Sequence, residues 1–556
     1  MLIRENKVIF YQFLIALVAG ILFIPFLGGV HLFDWDEINF AESAREMIVS
    51  RDYLTVQINF KPFWEKPPLF IWMQVLSMKI FGINEFAARF PNAVCGIFTL
   101  LFLFNTGRRI YNEKFGLIWV MTYLGSFLPF FYFKTGIIDP WFNLFIFSGI
   151  YYIILFTRDT DKKKNRHLVI SAVLIGLAIL TKGPVAFLIF ILTILIYLIF
   201  KRSKLSITFI NVLAFAVILI LVGGFWFILQ IISGNFDVIA DFINYQIRLF
   251  QTKDAGHGGF LLYHFVILLI GVFPASIFAL PGFKKHPSDN FYQRDFIKWM
   301  IILFWVVLIL FTIVKTKIVH YSSLCYFPLT YLAAFTIYKI INKEIEYKKW
   351  LNYILVPLGV IYALSIILIP HFDKYKQQLI DTGWIKDEFA IGCMQAEAGW
   401  SGIESVISII LISGIIVFLL SCKRKNFQKG ILSLFIASAL FIYSSILIIT
   451  PGIEKIAQNA VIEFLKDRHK EDAYFGTIGY KSYAHFYYTK KQVPVNKKSL
   501  NTQWLLTGNI DKKAYFSIKI DKKDKILPLY PDLEVLYEKN GFLFCVRNPE
   551  NINTND

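Results

Sequence analysis

Apolar stretches of roughly 20 residues, separated by short polar or basic segments, recur along the chain up to Pro451. A helix needs about 20 apolar residues to cross a bilayer, so the pattern predicts an all-α polytopic membrane protein with about thirteen transmembrane helices. They are expected at 8–30, 87–107, 115–133, 140–157, 168–181, 185–200, 206–230, 259–281, 297–314, 320–341, 350–370, 402–421 and 430–450. The fifth and sixth are short and flank Thr181-Lys182-Gly183-Pro184. Glycine followed by proline breaks a helix, and lysine is costly in hydrocarbon, so two elements are expected there. The first run is too long for a signal-peptide core and reads as a retained anchor.

Beyond Pro451 the pattern changes to polar and lysine-rich sequence. Segments 473–478, 535–537 and 542–546 read as strands, with Lys539-Asn540-Gly541 as a hairpin turn between the last two. The chain therefore divides, in expectation, into a membrane portion, 1–451, and a small α/β domain, 452–556. Within the first, a loop at 31–86 carries helices that lie at the membrane surface.

Composition agrees with this class. The chain is 56% hydrophobic, more than a soluble domain carries. Its net charge of +18 is spread over many short loops: Arg108-Arg109, 158–166, Lys201-Arg202-Ser203-Lys204, Lys284-Lys285, 343–349 and Lys423-Arg424-Lys425. Alternating spans place them all on one side. The positive-inside rule makes that side the cytoplasm, with the N-terminus there and the C-terminal domain outside. For a bacterial inner membrane, outside is the periplasm. Scattered charge of this kind does not form a nucleic-acid surface. The five cysteines lack metal-ligand spacing. Cys393 and Cys545 share the outer side, where a disulfide is open to them.

The same alternation gathers the unusual polar residues at the outer rim: Asp36, Glu37, Glu65, Lys66, Asp139, Lys182, Arg248, His257, Lys315, Lys317 and Tyr321. Each has a plain structural role to set against a chemical one. Asp34 suits a solvated cap, and Asp139-Pro140 suits a helix start with proline in the first turn. Lysines at span ends snorkel to headgroups. Asp36, by contrast, lies among aromatic neighbours where a carboxylate can act as a base. Lys66 precedes Pro67-Pro68 at an expected helix start, a place suited to a phosphate.

Several of these residues sit in a recognisable order. Asp36-Glu37-x-x-Phe40-Ala41-Glu42, Arg45-Glu46-Met47, Glu65-Lys66-Pro67-Pro68 and the run from Phe81 to Arg89 resemble the bacterial aminoarabinose lipid A transferases. They resemble equally the wider group of protein O-mannosyltransferase-like enzymes that use dolichol- or undecaprenyl-phosphate sugars. Asp139-Pro140, Thr181-Lys182-Gly183 and Lys315-x-Lys317-x-x-x-Tyr321 follow in order. The resemblance implies a GT-C glycosyltransferase fold for the membrane portion. It implies transfer of a sugar, with inversion, from a polyprenyl phosphate to an extracytoplasmic acceptor such as lipid A, another envelope glycan or a protein. In that scheme Asp36 is the principal catalytic acid residue, Asp139 the second, and Glu37 stands beside them. Lys66, Arg248 and Tyr321 hold the lipid phosphate, with Lys182, Lys315 and Lys317 as further substrate-binding residues. Glu65 borders the site and, with His257, is a candidate metal ligand; no other cofactor is implied. Aminoarabinose transferases carry arginine three residues after the first aspartate, where this chain has Asn39.

Two other classes compete. A transporter or flippase of a lipid-linked sugar would place charged sites near the midplane, with inverted repeats. A membrane scaffold displaying the C-terminal domain would not need acids and lysines on one rim.

Overall fold

In a computed structural model, residues 2–158, 163–201, 207–251, 258–284 and 288–549 are described. Among them, nine helices are long and apolar enough to cross a bilayer. Three further apolar runs are bent pairs: Glu113–Leu124 with Phe127–Lys134 at 84°, Phe209–Gly223 with Phe225–Ile232 at 58°, and Tyr263–Gly271 with Ala275–Gly282 at 112°. Counted as one span each, they bring the total to 12. The helix Val185–Lys201, 17 residues long, fills the remaining expected position, directly after the Gly183-Pro184 break. The sequence order of spans is thus as expected, but their geometry is not. Gly125, Gly224 and Pro274 stand at the three bends. Each interrupts a run whose hydrophobicity is continuous, so hydropathy alone does not reveal the turn.

Small residues set the helix spacing. A Cβ on Gly96 would stand 2.7 Å from the Phe23 ring, and one on Gly107 would stand 2.9 Å from the Gly116 Cα. These contacts hold Glu85–Ile110 against the first helix and against Glu113–Leu124. On the outer face of the first helix, Phe10 and Phe13 are exposed, as lipid-facing side chains should be.

The loop 31–86 folds into the helix Asp36–Ser50, a short hairpin of β1 (Gln57–Ile58) and β2 (Lys61–Pro62), and the helix Leu69–Phe81. Pro67 and Pro68 immediately precede that last helix. It buries Phe70, Ile71, Gln74 and Val75 and exposes Leu76 and Ile80, the two-faced character of an interfacial helix.

The tail forms a four-stranded sheet: β3 (Tyr474–Ile478), β4 (Ala514–Lys519), β5 (Glu534–Lys539) and β6 (Phe542–Arg547), in the order β3-β4-β6-β5. The β3–β4 pair is parallel and the others antiparallel. Asn540 and Gly541 form the expected two-residue turn, with φ of 49° and 81°. Strand β4 has no counterpart in the sequence-based expectation. It is central and almost fully buried, so it shows none of the alternation that marks a half-exposed strand.

The tail rests directly on the loop 31–86. The Tyr488 hydroxyl accepts from the Leu32 amide at 2.7 Å, Arg45 donates to the Lys491 carbonyl at 2.6 Å, and Lys491 donates to the Asn59 side chain at 2.6 Å. All five cysteines are free, so Cys393 and Cys545 do not pair.

Candidate active site

A cavity of about 1580 Å³ lies where the loop 31–86, the neighbouring ends of the membrane helices and the tail meet. Asp36, Glu37, Glu65, Lys66, Asp139, Lys182, Arg248 and Tyr321 all line it. Their convergence does not depend on how the bent helices are counted.

Its centre is built from four side chains on four segments. Asp36 opens the helix Asp36–Ser50, and Asp139 opens the helix Asp139–Arg158. Lys182 ends the helix before the Gly-Pro break and donates to Asp139 Oδ1 at 2.6 Å. Asp139, for which a helix-start role and a catalytic role both stood open, occupies the first helical turn, lines the cavity and pairs its carboxylate with this lysine. His320 supplies the fourth group, with Nε2 at 3.4 Å from Asp36 Oδ2 and 3.8 Å from Asp139 Oδ2. The sequence reading missed His320. The available signal was its position, one residue before Tyr321 in the last quoted motif.

Glu37 has a different environment. Its two oxygens accept from Arg89 at 2.9 and 2.8 Å, from the Phe33 amide at 2.9 Å and from the Gly136 amide at 2.5 Å. Burial pushes its carboxyl up, but Arg89 and these hydrogen bonds outweigh that and hold it below the usual carboxylate range. Arg89 spends its other donors on the carbonyls of Leu27, Val30 and His31. The pair ties the end of the first span to the start of the loop. With its lone pairs taken, Glu37 is a positioning group rather than the catalytic one the sequence suggested.

One wall carries a cationic, aromatic cluster. Lys66 donates to the Tyr245 hydroxyl at 2.9 Å and lies 4.4 Å from that ring's centre. Arg248 lies 5.1 Å from the same ring and 3.7 Å from Glu65. Lys182 lies 5.2 Å from the Tyr321 ring. Arg248 belongs to the helix Asp237–Gln251. Tyr245 is one turn earlier on that helix and was also missed.

Another part of the wall comes from the tail. Tyr480, Lys481, Ser482 and Lys519 line the cavity there. Lys481 lies 4.6 Å from the centre of the Trp35 ring. Asp34 also faces this region. Solvent reaches it, yet the cavity walls enclose it and push its carboxyl up to about 6; the Ser482 hydroxyl lowers it, Asp36 raises it and Lys519 lowers it. In its favourable orientation the Asn39 amide donates to the Trp35 carbonyl at 3.1 Å and accepts from the Trp35 indole at 2.9 Å. It thus holds the aromatic wall rather than presenting a cation.

Lys315 and Lys317 do not line the cavity. Lys315 is exposed. Lys317 donates to the carbonyls of Phe311, Thr312 and Val314 at 2.9, 2.6 and 2.7 Å, closing the end of the helix Phe291–Ile313. A substrate-binding role for it is replaced by this structural one, because its donors are occupied by the carbonyls a helix end leaves open. His257 lies outside the described residues. Among those described, no group of three or more His, Cys, Asp or Glu side chains is placed to hold a metal ion. Glu65 faces Arg248.

The chain is similar to known proteins in sequence and in fold. Residues 65–226 match the family described as dolichyl-phosphate-mannose-protein mannosyltransferase. An undecaprenyl phosphate-alpha-4-amino-4-deoxy-L-arabinose arabinosyl transferase of Wigglesworthia glossinidia brevipalpis is 28% identical over 388 residues, 67% of this chain and 66% of that protein. The match thus spans just under two thirds of that relative's length. An uncharacterized protein of Aquifex aeolicus is 31% identical over 337 residues, 59% of this chain and 73% of that protein. The crystal structure of ArnT from Cupriavidus metallidurans bound to undecaprenyl phosphate superposes with a TM-score of 0.75 at 17% identity, covering 96% of this chain and 98% of that one. That likeness shows a shared fold, tail included. Fold, family match and relatives agree, and the chain belongs to the GT-C membrane glycosyltransferases, in the group that includes the aminoarabinose lipid A transferases.

Proposed function

We propose that this protein transfers a sugar from a polyprenyl phosphate, such as undecaprenyl phosphate, to an acceptor on the outer side of the bacterial inner membrane. The observation that carries this reading is the joining, in one cavity, of the Asp36–His320–Asp139 group and the Lys66–Tyr245–Arg248 cluster. The second suits a lipid phosphate: two cations and a phenol beside an apolar interfacial helix supply charge-assisted hydrogen bonds where a headgroup would sit. The first suits the anomeric carbon. As the bond from that carbon to the phosphate oxygen breaks, negative charge grows on the phosphate and meets Lys66 and Arg248. Positive character grows on the sugar and meets the two aspartates, while the acceptor oxygen attacks from the opposite face with inversion.

The basic loops favour a cytoplasmic N-terminus and a periplasmic tail. The tail lysines then face the compartment from which the acceptor arrives. A lipid, a glycan or a protein hydroxyl all fit a cavity of this size.

Purified protein in liposomes, given radiolabelled polyprenyl-phosphate sugars and an envelope extract, tests the reading. Label is expected to leave the polyprenyl lipid and appear in a new covalent product. Movement of intact donor across the bilayer without bond cleavage would identify a flippase instead.

A further inference from the structure

We propose that His320 takes the acceptor's proton, with Asp36 and Asp139 as the carboxylates that orient and charge-balance it. The inference rests on the glycosyl-transfer reading above and assigns a step that the aspartates alone would otherwise carry.

The geometry is that of a histidine held between two acids. His320 has a side-chain exposure of 14% and borders the cavity. Its Nε2 faces both carboxylates, at 3.4 and 3.8 Å. Asp139 Oδ2 is buried and has no hydrogen-bond partner, while Oδ1 is taken by Lys182. The nearby imidazole N–H is the donor on hand for that oxygen as the cavity tightens around substrate.

A backbone link reinforces the placement. The His320 carbonyl accepts from the Ser323 hydroxyl at 2.5 Å, and that hydroxyl accepts from Asn143 at 2.8 Å. Asn143 lies one turn beyond Asp139 on the same helix. The helix that carries one carboxylate therefore also fixes the histidine that faces it.

Two acids on Nε2 select the tautomer. Nε2 carries the hydrogen, and Nδ1 keeps its lone pair. Both carboxylate contacts are made by Nε2, and neither involves Nδ1. The step then balances. The acceptor O–H gives its proton to Nδ1, and its oxygen forms a bond to the anomeric carbon. The bond from that carbon to the phosphate oxygen breaks, and its electron pair leaves with the polyprenyl phosphate. The imidazolium stands between Asp36 and Asp139, with Lys182 offsetting part of the acid charge.

This arrangement assigns an acceptor that must lose a proton, a hydroxyl, rather than a phosphate already ionised at neutral pH. The charged groups acting on the ring come from separate elements, Asp36 and Lys66 from the first loop and Asp139 and Lys182 from two membrane helices, and the titratable His264 lies near it.

The test is His320→Gln in the full-length protein in liposomes, with polyprenyl-phosphate sugar and an envelope extract. Expected is a loss of turnover of roughly 100-fold or more, with donor affinity kept within about threefold. The acidic limb of the pH–rate profile should disappear, and added imidazole should restore part of the rate. Undecaprenyl phosphate binding, read by thermal shift, reports that the variant is folded. The product linkage gives an independent arm: a glycoside of a hydroxyl survives mild acid, whereas a glycosyl phosphate is released. Unchanged turnover in the variant, or loss with neither pH change nor imidazole rescue, overturns the assignment. So does an acid-labile product. A wild-type protein that transfers no sugar overturns the functional reading itself.

Discussion

Asp36 and Glu37 are neighbours at the start of one helix, and their surroundings are opposite. Glu37 has a side-chain exposure of 6% and Asp36 one of 33%. Glu37 is locked by a guanidinium and two backbone amides, whereas Asp36 faces open cavity with one histidine at its edge. The locked kind recurs further along. Glu42 takes both guanidinium contacts of Arg45 at 2.7 Å, and Glu46 accepts the amides of Asn59 and Phe60 at 2.6 and 2.7 Å. A motif of alternating acids thus contains two kinds of carboxylate. One kind fastens the loop to the first span and to the tail, and the other is left available. Their chemistry is set by satisfaction of their lone pairs, which sequence spacing does not encode.

The contrast breaks most forcefully at Arg89. Arg89→Ala leaves Glu37 buried and unpaired, so stability should fall by about 3–5 kcal/mol. Detergent-solubilised protein should lose its cooperative thermal transition at a correspondingly lower temperature, and a variant as stable as wild type would refute the fastening role. Lys66→Ala should leave the fold intact but weaken donor binding by roughly tenfold to hundredfold, the worth of a charged hydrogen bond. Titration with undecaprenyl phosphate measures this, and Lys66→Arg should recover only part of it.

Glu46 gives a finer test. Burial, and then Glu42, push its carboxyl from 4.5 up to about 9. A raised value means the folded state holds the proton more tightly. The stability this brings is complete below pH 4.5 and is lost as the pH climbs toward 9. Lys491, pushed down to about 8 chiefly by burial, begins to oppose the trend only near that pH. Between about pH 5 and 8, wild type should therefore lose stability relative to Glu46→Gln, as read by melting temperature. Parallel curves for the two proteins would contradict the assignment. Asp34→Asn should be mildest, on the order of twofold in turnover, since Asp34 borders the cavity but lies away from the His320–Asp139 group.

Much of this arrangement was legible before the structure. The thirteen apolar runs all correspond to helical segments, because a bilayer demands length and hydrophobicity that few other folds supply. The Lys66-Pro67-Pro68 step fell immediately before a helix, because proline constrains the residue ahead of it. Other features had no local signature. Whether an apolar run bends at Gly224 or Pro274 depends on packing. Whether Lys317 meets substrate or closes a helix depends on where that helix ends. The partnership of Arg89 with Glu37, 52 positions apart, and of His320 with Asp36 are products of tertiary convergence. The buried β4 strand lacked alternation, and Tyr245 and the tail lysines became cavity residues only once helix and tail were placed over the loop.

The central claim is that Asp36 works in the cavity while Glu37 holds it together. Single-turnover transfer from a polyprenyl-phosphate sugar by Asp36→Asn, measured beside its donor affinity, tests this most directly. The substitution keeps size and most hydrogen bonding and removes the charge. The account predicts turnover lower by roughly 100-fold or more with donor affinity and melting temperature close to wild type. Full turnover by Asp36→Asn, or a loss explained by unfolding, would contradict it.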